Sequence, residues 1–265
     1  MSIQTLTHSP GAGLPTARSL FKFAATIATS MMLALSPAQA EEKKATIELK
    51  AGKIIELAFY SVKEGKEAQL GQDYFPKILP ITAKYGGSML GSFQVTKTVK
   101  GKISPQGIAL FEWDTLERRD DLLNDPEAKK LFPIRDDALS FAKLAYYTVD
   151  SDTTLTLSDG KTYEFFNAWL TSEAETALPE YFANSTPIRK RYGPPKFIAT
   201  LKPYADTPRA RYNLRPDMAG IVEWNNPEDY FGMVSDPEFK KNAQALLDKS
   251  VSRFDMFQTK FAFPQ

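Results

Sequence analysis

The sequence predicts an α+β protein in which one sheet-and-helix unit is written twice. Three observations carry this. A strand end, Phe111-Glu112-Trp113, and a helix start, Asp125-Pro126-Glu127, recur 111 positions later as Val222-Glu223-Trp224 and Asp236-Pro237-Glu238. Gly52-Lys53 and Glu56 recur 108 positions later as Gly160-Lys161 and Glu164. Tyr74-Phe75, Pro80-Ile81 and Tyr85-Gly86 recur 107 positions later as Tyr181-Phe182, Pro187-Ile188 and Tyr192-Gly193.

Before the repeat comes a segment of another kind. Arg18 and Lys22 precede an apolar run from Phe23 to Leu35, and Ser36-Pro37-Ala38-Gln39-Ala40 ends in the small-x-small pattern of a signal-peptide cleavage site. The expectation is a leader over 1–40, cleavage near Ala40 and a periplasmic or secreted chain beginning at Glu41. The apolar run is shorter than the roughly 20 residues that span a bilayer, so stable membrane insertion after cleavage is not expected. The repeats are then expected over 41–152 and 153–265.

Composition excludes several chemistries. The chain has no cysteine, and its single histidine, His8, lies in the expected leader. That removes disulfides, thiol nucleophiles, Ser-His-Asp and Cys-His centres, His-ligated haem and ordinary zinc sites. No metal site or resident cofactor is called for. Loss of Arg18 and Lys22 would leave 31 basic against 32 acidic residues, a balance with no electrostatic footprint for nucleic acid.

Each copy opens with an alternating strand, Thr46–Lys50 or Thr154–Leu157, then a turn, Ala51-Gly52 or Asp159-Gly160, and a second strand beginning at Lys53 or Lys161. Asp-Gly between strands is a hairpin signal, so each leading strand is expected to pair with the one after it. A helix follows, about 67–85 and 173–192, closed by Gly86 and Gly193. Pro80 and Pro187 each remove a helix hydrogen bond and are expected to bend or break these helices. Strand pairs are expected over about 88–98 with 106–113 and 196–203 with 217–224. The second connection is four residues longer by the change of spacing and carries Arg209, Arg211 and Arg215. Next come Asp125 and Asp236 as N-caps with Pro in the first turn, and a last strand near Phe141–Val149 or Phe254–Phe261.

The order reduces to βαββαβ plus a leading strand, the ferredoxin-like arrangement, with both helices on one face of an antiparallel sheet. The bare face of one sheet is most simply covered by the other. The chain is thus expected to be an intramolecular pseudo-dimer and a monomer.

Ala83-Lys84-Tyr85-Gly86-Gly87, the strand ending Phe111-Glu112-Trp113, Asn124-Asp125-Pro126-Glu127 and Phe132-Pro133-Ile134-Arg135 together resemble the domain of unknown function 1330 family, of the dimeric α+β barrel superfamily. The resemblance covers about 53–150 well and 161–262 in outline; Leu246 stands where the first copy has Arg135. It implies pockets between sheet and helices, and relatives that include cofactor-poor monooxygenases, isomerases and dehalogenating or haem-degrading enzymes. Fold alone does not carry function across.

Four residues are candidates for a site in the first copy. Glu112 is either a general acid or base or a strand-end carboxylate. Tyr60 and Tyr85 either donate phenolic hydrogen bonds into a pocket or pack at a sheet-helix seam. Arg135 either clamps a ligand carboxylate or pairs with Asp136 or Asp137. Three functions follow: an exported binder of a small apolar or aromatic molecule in a sheet-helix pocket; a cofactor-independent or cofactor-borrowing enzyme, monooxygenase or isomerase-like, using Glu112, Tyr85 and Arg135; or a periplasmic interaction protein whose exposed strand at 46–50 pairs with a partner's edge.

Overall fold

A computed structural model describes residues 42–210 and 212–263; the expected leader lies outside the described residues. After β1 (Lys44–Leu49), the first unit runs β2 (Ile54–Val62), α1 (Phe75–Lys84), β3 (Gly87–Lys100), β4 (Gly107–Trp113), α2 (Leu116–Asn124), α3 (Pro126–Ala138) and β5 (Leu139–Thr148). After β6 (Thr153–Ser158), the second unit runs β7 (Thr162–Leu170), α4 (Ala174–Arg189), β8 (Lys196–Pro203), β9 (Met218–Trp224), α5 (Pro227–Ser235), α6 (Pro237–Phe239), α7 (Ala245–Ser250) and β10 (Val251–Phe261). The strand orders are β5-β2-β4-β3 and β10-β7-β9-β8, with every pairing antiparallel. Each is the ferredoxin-like sheet.

The sheets join edge to edge into one closed eight-stranded barrel. One seam is long, with Met256–Phe261 of β10 set against residues 93–100 of β3. The other is short: β5 meets β8 only at Tyr147↔Pro203 and Thr148↔Lys202. Beyond that, the long connection before β9 runs beside β5, exchanging Leu144 N→Tyr212 O at 2.9 Å and Leu214 N→Leu144 O at 2.6 Å. The extra residues of that connection therefore complete the seam.

Strand parity divides the side chains between two environments. On β2, Ile55, Leu57 and Phe59 point into the barrel with Ile108 and Leu110 of β4 and Tyr163 and Phe165 of β7, forming the central core. The alternate residues face the helices, where each unit has its own core, around Ile54, Trp113 and Tyr146 in the first and Phe166, Trp224 and Met256 in the second.

Two expectations are corrected. The leading strands do not form hairpins with their neighbours. β1 pairs antiparallel with β6, from Lys44↔Ser158 to Leu49↔Thr153. Both edges of β2 are taken by β4 and β5, and both edges of β7 by β9 and β10, so neither has a free edge to offer. The resulting ribbon lays Ile47, Leu49, Leu155 and Leu157, none more than 5% exposed, against the barrel core. The strand proposed to bind a partner is thus paired and half-buried within its own chain.

Of the bend or break expected at the prolines, the break does not occur. α1 runs through Pro80 and α4 through Pro187. The helices stay buried on both sides of the prolines, at Ile78 and Thr82 in α1 and at Ser185 and Ile188 in α4. The irregular turns fall elsewhere: a π-helical turn at Gln69–Tyr74, a 3-10 turn at Lys190–Tyr192, and a π-helical turn at Lys240–Gln244 between α6 and α7. Gly86 and Gly193 end the helical stretches with φ of +68° and +71°, the left-handed region glycine favours. No helix among the described residues is long and apolar enough to cross a membrane.

Candidate functional site

The helix-facing side of each sheet carries a cavity. The first unit's is the larger, about 530 Å³. Small side chains clear its floor: Ala58 and Ala109 are register partners on β2 and β4, and Ala142 follows on β5. Tyr74 and Phe75 form a wall at the head of α1, and Tyr212 reaches in from the connection that completes the barrel seam.

At its inner end lies a buried ion pair. Glu56 is 6% and Arg119 9% exposed, and Arg119 Nε donates to Glu56 Oε2 at 3.1 Å. Burial works against the Arg119 charge, but Glu56 outweighs it, with help from Tyr146, and holds the guanidinium's pKa above its ordinary value. The guanidinium also lies 5.6 Å from the Tyr146 ring. Burial likewise raises the Tyr146 and Tyr74 phenols, so both stay neutral donors.

Two of the four candidates line this cavity. Tyr60 stands on its wall, its ring seated where a Cβ on Gly107 would come within 2.5 Å of it, so the glycine makes the place for the ring. Arg135 stands at the rim with its Nε 2.8 Å from Asp136 Oδ1 and its guanidinium 4.8 Å from the Phe132 ring.

Glu112 and Tyr85 are not brought to the cavity. Glu112 shares parity with Ile108 and Leu110 rather than with Phe111 and Trp113, which places it on the other side of the sheet; its Oε2 accepts from the Lys50 N–H at 3.1 Å. Tyr85 donates to Asp125 Oδ2 at 2.9 Å, and Tyr192 does the same to Asp236 Oδ2 at 2.8 Å. A bond repeated in both units at a helix cap is architecture.

The second unit's cavity is about 300 Å³. Phe166 replaces Ala58 on its floor, and Gly220 opposite makes the room, since a Cβ there would lie 2.8 Å from the Phe166 ring. Phe166 stacks on Phe254 at 5.8 Å. Glu164 occupies the position of Glu56, but Tyr230 stands where the first unit has Arg119. Burial pushes the Glu164 carboxyl up to about 8, against the opposing charge of Arg189 and the indole N–H of Trp224. Sequence reasoning missed both glutamates as site residues, although their recurrence was the signal. Among the described residues no group of three or more His, Cys, Asp or Glu could hold a metal ion.

A closed barrel of two ferredoxin-like sheets defines the class: a dimeric α+β barrel with both halves in one chain. Neither a known family model nor a curated protein matches the sequence. Solved structures similar to it include an anthrone oxidase-like protein, 16% identical over 83% of this chain and 98% of that one, with a TM-score of 0.48. A variant chlorite dismutase from Candidatus Nitrospira defluvii is 10% identical over 80% of this chain and 92% of its own, with a TM-score of 0.48. A protein of unknown function from Rhodopseudomonas palustris is 19% identical over 40% of this chain and 85% of its own, with a TM-score of 0.35. At these identities the likeness concerns the fold alone.

Proposed function

We propose that the chain is an exported binding protein for a small apolar or aromatic molecule, held in the first unit's cavity and related to the domain of unknown function 1330 family. What supports the reading is the cavity itself: about 530 Å³, walled by apolar and aromatic side chains, with Tyr60, Arg135 and the Glu56–Arg119 pair as its few polar groups. That composition is the usual one for a small-molecule site. The enzyme reading loses its acid, because Glu112 lies across the sheet, and no other group among its named residues replaces it.

The second unit supplies the test. Ala58→Phe with Ala109→Gly copies the Phe166/Gly220 pair into the first unit and narrows the cavity with a combination the fold already carries. The fluorescent apolar amine N-phenyl-1-naphthylamine is expected to bind the parent chain and to lose at least about tenfold in affinity to the double variant. Equal binding to both would overturn the assignment. The intact mass of the chain recovered from its source reads export: a chain beginning at Glu41 supports it, and one retaining Met1 contradicts it.

A further inference from the structure

Three buried polar atoms line the second unit's cavity without a hydrogen bond of ordinary geometry, Glu164 Oε2, Trp224 Nε1 and Arg189 Nε, although the Trp224 indole lies close enough to the Glu164 carboxyl to act on it. Glu164 is 5% and Trp224 3% exposed. Buried polar atoms are almost always bonded; Trp113 Nε1 is unpaired at the same place in the first unit, so the indole belongs to the shared fold, whereas Glu164 Oε2 and Arg189 Nε are unpaired in the second unit alone and point to a ligand there.

Their chemistry selects that ligand. With its carboxyl raised to about 8, Glu164 is protonated at neutral pH and offers an O–H. The indole and guanidinium nitrogens can only donate. A protonated carboxyl donates through one oxygen and still accepts through the other, so the site offers an excess of donors, led by Arg189 Nε, and calls for a ligand rich in acceptors. A single carbonyl oxygen has two lone pairs, whereas a carboxylate has about four and also matches the charge and fork of a guanidinium. Other residues of the cavity lining hold Arg189 in place. One terminal nitrogen donates to Tyr181 Oη at 2.8 Å, and its guanidinium lies 5.2, 5.3 and 5.9 Å from the Tyr181, Phe182 and Phe197 rings.

We propose that this cavity binds a small apolar or aromatic monocarboxylate. Its carboxylate is taken by Arg189 Nε, Trp224 Nε1 and the Glu164 carboxyl, and its body lies among Phe166, Phe254 and Met256. The assignment stands apart from that of the first unit's cavity. The charged and titratable groups that line the cavity with Glu164 are Arg189 and Tyr181 from α4, Tyr230 from α5 and Lys100 of β3. A ligand carboxylate and an ionised Glu164 repel in such an apolar place, so the ligand binds only with Glu164 protonated.

Calorimetric titration of the full chain with 2-naphthoate, and with uncharged naphthalene-2-carboxamide, tests this between about pH 6 and 10. Naphthoate is expected to bind more tightly than the amide, and its affinity to fall by about tenfold per pH unit above pH 8 or so. Arg189→Gln should weaken binding at least about tenfold. Glu164→Gln, whose amide donates but does not ionise, should abolish the alkaline fall at whatever affinity it retains. The first-unit double variant, with its own small-molecule cavity obstructed, should keep the pH-dependent part of the parent's naphthoate binding. Absence of binding, an amide that binds as tightly, an unchanged pH profile in Glu164→Gln, or loss of that pH-dependent part in the first-unit variant would each overturn the proposal. Should Arg189→Gln fail to fold, the profile of Glu164→Gln decides alone.

Discussion

Glu56 and Glu164 hold the same place in two copies of one sheet and are treated in opposite ways. Glu56 sits in register with Phe111 and Tyr146, Glu164 with Val222 and Gln258, and both face their helices. In the first unit α2 brings Arg119 to the carboxylate. In the second, α5 brings Tyr230, and the nearest cation comes from α4 without a hydrogen bond to the acid. The floors differ as well: Ala58 and Ala109 leave about 530 Å³, whereas Phe166 and Gly220 leave about 300 Å³. The sheet decides where an acid stands. The helices laid over it decide whether it is a structural anion or a protonated donor.

The largest expected effect follows from the first arrangement. Arg119→Ala would leave Glu56 buried without its counter-charge, and urea denaturation should show a loss of about 3–5 kcal/mol, the range for breaking a buried pair. Replacing both partners, Glu56→Gln with Arg119→Met, should recover most of that loss. A single variant that costs under about 1 kcal/mol would mean that the pair is wet, and the contrast with Glu164 would collapse.

The second effect has the opposite sign. The folded pKa of Glu164, about 8, lies above its ordinary value of 4.5. Across that window the folded chain keeps a proton that the unfolded chain has released, so stability falls as pH rises from about 4.5 to about 8 and levels off above. Glu164→Gln removes the fall. It should be nearly neutral at pH 4 and stabilising by a few kcal/mol at pH 9, on the order of a shift of this size for a fully buried group. Melting temperatures of the two chains across pH check this; parallel curves would show that Glu164 reaches water.

The topology was legible because spacings of 107, 108 and 111 kept the elements of both copies in step. Where reading failed, the deciding fact was non-local. Asp159-Gly160 does turn the chain, but a turn signal does not reveal that both edges of β7 are already occupied. Glu112 draws the eye as a carboxylate at a strand end, but period-two alternation from Ile108 and Leu110 puts it on the face opposite the cavity. Tyr60 and Arg135 stand on the cavity wall, and parity with Glu56 and Ala58 explains Tyr60. Glu164 stands out in the sequence only by its spacing of 108 from Glu56. Comparing position 119 with position 230 would have shown its lost partner, but Arg189 stands where the first unit has Thr82, so nothing in the repeat foretold it.

The smallest effects test the part that both units share. Asp125 accepts from the Glu127 and Ala128 N–H groups at 2.7 and 2.9 Å and from Tyr85; Asp236 accepts from the Glu238 N–H at 2.7 Å, from Tyr192 and from Arg191 at 2.8 Å. Asp125→Ala and Asp236→Ala should each cost on the order of 1 kcal/mol as lost helix caps, and Tyr85→Phe and Tyr192→Phe about 0.5–1.5 kcal/mol each as single hydrogen bonds. Arg191 has no arginine counterpart, since Lys84 stands 107 positions earlier, and its half-exposed guanidinium should widen the gap between the two caps only slightly. Chemical denaturation therefore asks whether the first copy of this contact is anything more than the second. If Tyr85→Phe weakened N-phenyl-1-naphthylamine binding while leaving stability intact, and Tyr192→Phe did the reverse, Tyr85 would belong with the ligand, and the symmetry of the caps would conceal a divided role.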